Sequence, residues 1–213
     1  MKRVLRRWPK LFAFLGLVLL TTACSKTITW EEEVPLNTGE SIWVRRTVPW
    51  EVQSGTGNPF DWGLRARLSR QVLSFEYRRT QYSYGGGADV RWILISPAGA
   101  PVLLAESASL GWDARNSYYC VVPQYVQFVP DPRDGTRWTW PKSIEPWVFN
   151  MPANLMGNVP KPGEVKQRYT AREREERDAS LRYQWPAAMR VDPQHKTSCL
   201  TDPSSILEGR VKK

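Results

Sequence analysis

Asp89–Ser96, DVRWILIS, and Pro101–Glu106, PVLLAE, are two densely apolar runs separated only by PAGA. Runs of this length, rich in branched and aromatic residues and closed by Pro and Gly, read as strands buried on both faces. They are expected to form the centre of a sheet and to supply much of the core. Ser117–Asp131, SYYCVVPQYVQFVPD, continues in the same style, with Tyr125, Gln127 and Val129 on one face and Val126 and Phe128 on the other. Cys120 falls inside this run.

Upstream, Val72–Tyr84 alternates Leu73, Phe75 and Tyr77, breaks at polar residues and resumes with Tyr82 and Tyr84, the pattern of a hairpin. Gly85-Gly86-Gly87 then leads into a β-like segment rather than a helix N-terminus, so it does not read as a phosphate loop. Ile28–Val34 and Ser41–Val52 flank Pro35–Glu40, PLNTGE, whose Pro, Asn and Gly supply turn chemistry, and a second hairpin is expected. In that strand Glu31 and Glu33 share a face and Glu32 points away, so the three are read as solvated charges facing Arg45 and Arg46 across the hairpin, not as an acid/base pair. Residues 53–69, with three glycines, one proline and no sustained period, read as a long surface loop.

Downstream of Asp131 the composition turns proline-rich, with Trp138, Trp140 and Trp147 interspersed, and this stretch is expected to wrap over the sheet. Proline cannot join a ladder from inside a sheet, whereas Trp covers apolar surface with its ring. Asp131 and Asp134 beside Gly135 lack the alternating acids of a calcium loop and read as a turn. Thr170 with Glu173 forms a capping box that opens the clearest helix, TAREREERDASLRY, laced with i,i+4 pairs such as Arg172–Glu176. Its apolar stripe is thin, which predicts a loosely docked or solvent-bridging surface helix. The fold class is therefore mainly β: an antiparallel sheet or sandwich with long Pro/Trp-rich loops and one C-terminal surface helix.

Three stretches, Thr29–Arg46 (TWEEEVPLNTGESIWVRR), Tyr125–Asp131 (YVQFVPD) and Ile144–Leu155 (IEPWVFNMPANL), resemble a family of small uncharacterised proteobacterial proteins, many with signal peptides. The resemblance covers most of the chain after the leader and implies an exported protein. It brings no functional residue with it.

The N-terminus points the same way. Met1–Lys10 holds five basic residues and no acidic one, Leu11–Leu20 is apolar, and Thr21, Thr22 and Ala23 are small, which together read as a signal peptide over residues 1–23. The apolar run is too short to cross a bilayer, which takes about 20 residues. Leu20-Thr21-Thr22-Ala23-Cys24 resembles the lipobox of bacterial lipoproteins, implying that Cys24 is acylated and becomes the mature N-terminus. Ordinary cleavage that leaves a plain thiol is the competing reading. By the same resemblance, Ser25 in place of Asp implies sorting to the periplasmic face of the outer membrane. The remaining organisation is a β-rich domain over 24–165, the helix over 166–185 and a tail over 186–213 tied down at Cys199.

With Cys24 lipidated, Cys120 and Cys199 remain for a disulfide, the alternative being two buried thiols. Removal of the leader leaves 25 basic against 21 acidic residues, or +4 in place of +9. A modest, interleaved excess of this kind is not a nucleic-acid footprint, so no nucleic-acid partner is expected. His195 is the only histidine, and no G-x-S-x-G or H-E-x-x-H motif occurs. No cofactor, metal or catalytic residue is assigned. Ten tryptophans follow the leader, and those in loops, Trp62, Trp112, Trp138 and Trp140, are the ligand-binding candidates. Three functions stay open: a lipid-anchored envelope protein with a binding, structural or accessory role and an envelope protein or glycan as partner, a glycan-binding module using loop tryptophans, and a carboxylate-based hydrolase of envelope polymers.

Overall fold

A computed structural model of the chain describes residues 25–54, 62–66, 70–106, 123–135, 137–141, 144–184 and 186–194. The leader, Cys24, Trp112, Cys120, His195 and Cys199 lie outside them. The described residues form a mainly β structure of two sheets. The first has the order β10-β1-β2-β4-β5, with β3 also paired to β2, and the second has the order β6-β7-β8-β9. The strands are β1 (Lys26–Pro35), β2 (Ser41–Ser54), β3 (Trp62–Ala66), β4 (Val72–Tyr77), β5 (Thr80–Gly85), β6 (Val90–Ile95), β7 (Pro101–Glu106), β8 (Tyr125–Pro130), β9 (Trp138–Thr139) and β10 (Arg168–Tyr169). All pairings are antiparallel except β1 with β10.

Both expected hairpins form. β1 and β2 pair from Lys26↔Trp50 to Pro35↔Ser41, and the chain reverses through Gly39 at φ +88°, a conformation that glycine adopts without a Cβ penalty. β4 and β5 pair from Val72↔Gly85 to Tyr77↔Thr80 around Arg78 and Arg79, both at positive φ as a two-residue turn of the mirror-image type requires. The loop expected over 53–69 is corrected at both ends. β2 continues to Ser54, and Trp62–Ala66 adds to it, so that β4 and β3 pair with successive stretches of β2, Val44–Thr47 and Trp50–Ser54. WGLRA carries no period of its own, and the ladder offered by β2 overrides its weak local preference.

Side-chain alternation sorts the interior into three apolar clusters. Val34, Val44 and Phe75 of the first sheet meet Ile93, Leu103 and Phe128 of the second, which is the sandwich core. On the other face of the second sheet, Trp92, Leu104 and Tyr125 are covered by Val148, Ala153 and Val191. Farther along the long hairpin, Ile28, Trp30, Val48 and Trp50 are covered by Met156 and Tyr169 instead of by the second sheet. The Pro/Trp-rich stretch thus wraps over the sheets as expected, through a 3-10 turn at Pro146–Val148 and the extended run that follows.

β6 is buried on both faces, as its composition requires, yet it stands at the end of its sheet. Apolar density reports burial of faces, not place in the strand order. Two asparagines occupy its open side. Asn37 accepts from Ile95 N at 2.7 Å and donates to Ile95 O at 2.8 Å. Asn154 accepts from Ile93 N at 2.9 Å and donates to Ile93 O at 2.7 Å. Among the described residues no strand pairs on that side, and each side-chain amide stands in for one peptide of such a neighbour.

Helix α1 (Ala171–Asp178) opens with the predicted capping box, and the short turns α2 (Leu181–Gln184) and α3 (Pro186–Met189) follow. Its docking differs from expectation, because charged residues hold it. Arg174 and Asp178 are buried, Asp178 accepts from Gly157 N and Asn158 N at 2.8 and 2.7 Å, and Ala171 N donates to Glu33. A thin apolar stripe therefore does not mean loose attachment here. The segment after the helix is likewise held before Cys199 is reached. Val191 is fully buried and exchanges backbone hydrogen bonds with Asn150 and Met151, while Ala153 N donates to Met189 O.

Candidate functional site: a charged cleft beside the terminal helices

The sequence-selected tryptophans do not form one site among the described residues. Trp138 packs against the sandwich core beside Tyr82 and Tyr84, and its indole N–H donates to Ser83 O at 2.8 Å, so both its ring and its polar handle are engaged. Trp140 is 55% exposed and touches Phe128 edge-on. The backbone of Trp62 pairs with Ser54 in β3, which places it in a strand and not in a loop. On the outer face of the first sheet, Trp43 is exposed and carries Arg168 over its ring.

The three glutamates are not all solvated as expected, because Glu32 is buried. Glu31 is solvated in part and bridges Arg45 and Arg168, as a strand charge would, and those two cations hold its carboxyl below the usual range. Glu32 is fully buried and paired at 3.0 Å with Arg46, which is also fully buried. Its second oxygen accepts from Met156 N at 2.8 Å, while Arg46 donates to Met156 O and Gln71. Burial pushes the Glu32 carboxyl up, and Arg46 and the Met156 N–H pull against that shift. The arrangement lies where the sandwich core ends and the Trp30–Trp50 cluster begins, and it pins the crossing segment at Met156. Arg46 also lies over the Trp30 ring at 5.2 Å. Every contact in this set is internal, so its chemistry is structural.

An open cleft of about 820 Å³ lies on another side, between α1, the segment around Asn150–Ala153 and the chain from Pro186 to Gln194. A volume of this order suits a small-molecule ligand. Tyr125, from β8, accepts from Asp192 N at 3.0 Å and donates to Arg190 O, fixing the terminal segment. Burial pushes that hydroxyl up to about 12. Asn150 sits at φ +64°, and its carbonyl accepts from Arg190 Nη1 at 3.1 Å. Arg174 enters from α1 and donates Nη1 to Ala153 O at 3.0 Å.

By formal count the cleft is neutral, with Arg174, Arg182 and Arg190 against Glu175, Asp178 and Asp192. The carboxylates, however, are committed. Both oxygens of Asp178 cap backbone N–H groups, Asp192 accepts from Gln194 N, and Glu175 lies 3.5 Å from Arg174. The arginines keep donor capacity: the buried Nε of Arg174 has no hydrogen-bond partner, although the residue is only 3% exposed. No sequence signal marked this cleft, because its three segments carry no shared motif and meet only through the fold. The one local hint is the i,i+4 pair Arg174 and Asp178, which sets both charges on the same side of α1.

Among the described residues no group of three or more His, Cys, Asp and Glu side chains is placed to hold a metal ion, and no helix is long and apolar enough to cross a membrane. Comparison with known family models, curated proteins and solved structures returns no match.

Proposed function

We propose that this chain, like the proteobacterial proteins it resembles, is exported, and that it is a lipid-anchored envelope protein acting by binding through the cleft beside α1. Cys24 is the anchor and the periplasmic face of the outer membrane is the site. The observation that carries the reading is the position of β1. It starts at Lys26, two residues beyond the lipobox-like cysteine, so an acyl anchor would hold the sheet directly at the bilayer surface. The cleft belongs to the far end of the same strand: α1 begins beside Glu33, and Asn154, next to Ala153, donates to Pro35 O. At about 3.3 Å per residue that end, Glu33 to Pro35, stands roughly 23–30 Å from Lys26, turned away from the membrane. Such a geometry presents a binding surface to the periplasm.

Two or more acyl chains hold a protein on a membrane essentially permanently, at about 0.8 kcal/mol per buried CH₂. Fatty-acid labelling of the full-length protein in a Gram-negative host, followed by detergent partition, tests the anchor. Label is expected on the wild type and none on Cys24→Ser, since serine has no thiol to acylate. A soluble wild type that begins at an unmodified Cys24 would remove the anchor from the reading. Capture of an envelope partner that is lost on substitution in the cleft tests the binding role.

The glycan-binding reading draws support from Trp140, whose exposed ring offers a face for a sugar. Glycan-array binding abolished by Trp140→Ala and retained in the cleft variants would favour it over the cleft.

A further inference from the structure

We infer that the cleft is an oxyanion site, in which Arg174, Arg182 and Arg190 receive a carboxylate or phosphate group of the ligand; this rests on the reading that the cleft is the binding surface. Three arginines line the same cavity, and of the three acids beside them Asp178 and Asp192 direct oxygens to backbone N–H groups while Glu175 approaches Arg174 only at 3.5 Å. Asp178 gives both oxygens to Gly157 N and Asn158 N, and Asp192 gives one to Gln194 N. No ion pair involves Arg182 or Arg190 among the described residues, and the hydrogen bond of Arg190 to the Asn150 carbonyl uses one of its five donors.

Arg174 is the decisive group. A guanidinium buried to this degree is costly unless its donors are met, and here one bond to Ala153 O and a long approach to Glu175 leave Nε–H unpaired. Glu175 is more than half exposed at its side chain and free to swing away, so an entering anion can replace it on Arg174. An arginine fork matches the planar geometry of a carboxylate or the face of a phosphate, which lysine would not provide. The remaining wall combines Pro152, Ala153, Pro186 and Met189 with the amides Asn150 and Gln194, a mixed surface for whatever carries the anion. The ligand is thus a small acidic molecule with an apolar or neutral body, held by its charged end.

The test uses full-length protein in detergent and three probes: a short neutral peptide with a free C-terminal carboxylate, the same peptide as its C-terminal amide, and inorganic phosphate. Binding is followed by calorimetry at low and at high salt. The carboxylate peptide or phosphate is expected to bind, the amide is not, and salt weakens the interaction. Which of the two anions binds identifies the source of the oxyanion. Arg182→Ala combined with Arg190→Ala, both exposed residues, is expected to reduce affinity about tenfold or more with the melting temperature little changed. Arg174→Met removes the buried charge while keeping its stem, and is expected to abolish binding. Equal binding of the peptide and its amide, absence of binding by either anion, or affinity that survives the double substitution overturns the inference. If partner capture from membranes still depends on the cleft while no anion binds, the binding role stands and only the oxyanion assignment falls.

Discussion

Glu31–Arg45 and Glu32–Arg46 are salt bridges across the same hairpin, one residue apart, at the same N···O distance of 3.0 Å. They differ in the face on which they lie. The first pair stands at the surface with Arg45 side-chain exposure of 64%, and the second is sealed between two apolar clusters at 0% for both partners. Water screens the first and makes either charge tolerable alone. In the second each charge is tolerable only because of the other, so the pair acts less as a source of stability than as a condition on how the layers may close.

The comparison breaks most visibly at the buried pair. Glu32→Ala or Arg46→Ala alone should lower unfolding free energy by about 3–5 kcal/mol, because a lone charge stays buried. Replacing both by Leu should recover most of that loss in urea denaturation, and a double variant no better than the singles would show that the hydrogen bonds to Met156 matter more than the charges. A smaller effect is expected where the same contrast recurs on α1, between exposed Arg172–Glu176 and buried Asp178. Asp178→Ala strands the N–H groups of Gly157 and Asn158 and should cost about 1–3 kcal/mol, whereas Glu176→Ala should be close to neutral by thermal unfolding. Smaller still, Arg45→Ala should change stability by less than about 1 kcal/mol, and that change should vanish in high salt. A salt-insensitive loss at Arg45 would erase the distinction between the faces.

The least change is expected from acid. Lys166, with Thr170, holds the exposed Glu173 carboxylate at about 2, below its ordinary 4.5. A depressed carboxyl contributes above its unfolded value and loses that contribution as pH falls through the folded one. Fraying of α1, followed by hydrogen exchange, should therefore set in between pH 4.5 and about 2, and Lys166→Met should shift its onset to higher pH.

Much of the fold was written in the alternation of side chains. Leu73, Phe75 and Tyr77 announced β4, PLNTGE announced the long hairpin, and Thr170 with Glu173 announced α1. The burial of Glu32 was also legible in principle, since the period that separates it from Glu31 and Glu33 places it with Ile28, Trp30 and Val34. Arg46 shares a face with Val44, Val48 and Trp50 in the same way. A charge in that company is either buried with a partner or an error in the register. The edge position of β6, the addition of β3 and the cleft were not legible, because each depends on segments distant in sequence that only tertiary packing brings together. Loop tryptophans drew notice as ligand candidates for their chemistry, yet Trp138 spends its ring and its N–H inside the protein.

The two asparagines on β6 have a consequence for life at high concentration. A terminal strand that is apolar on both faces, with its backbone groups free, would be a template for growth, since any extended segment could add to it and leave a fresh edge for the next. Asn37 and Asn154 end that sequence. Each amide satisfies one residue of the strand, the backbone N–H groups of Asn154 and Leu155 cover Arg91 O, and among the described residues no further strand adds to this edge.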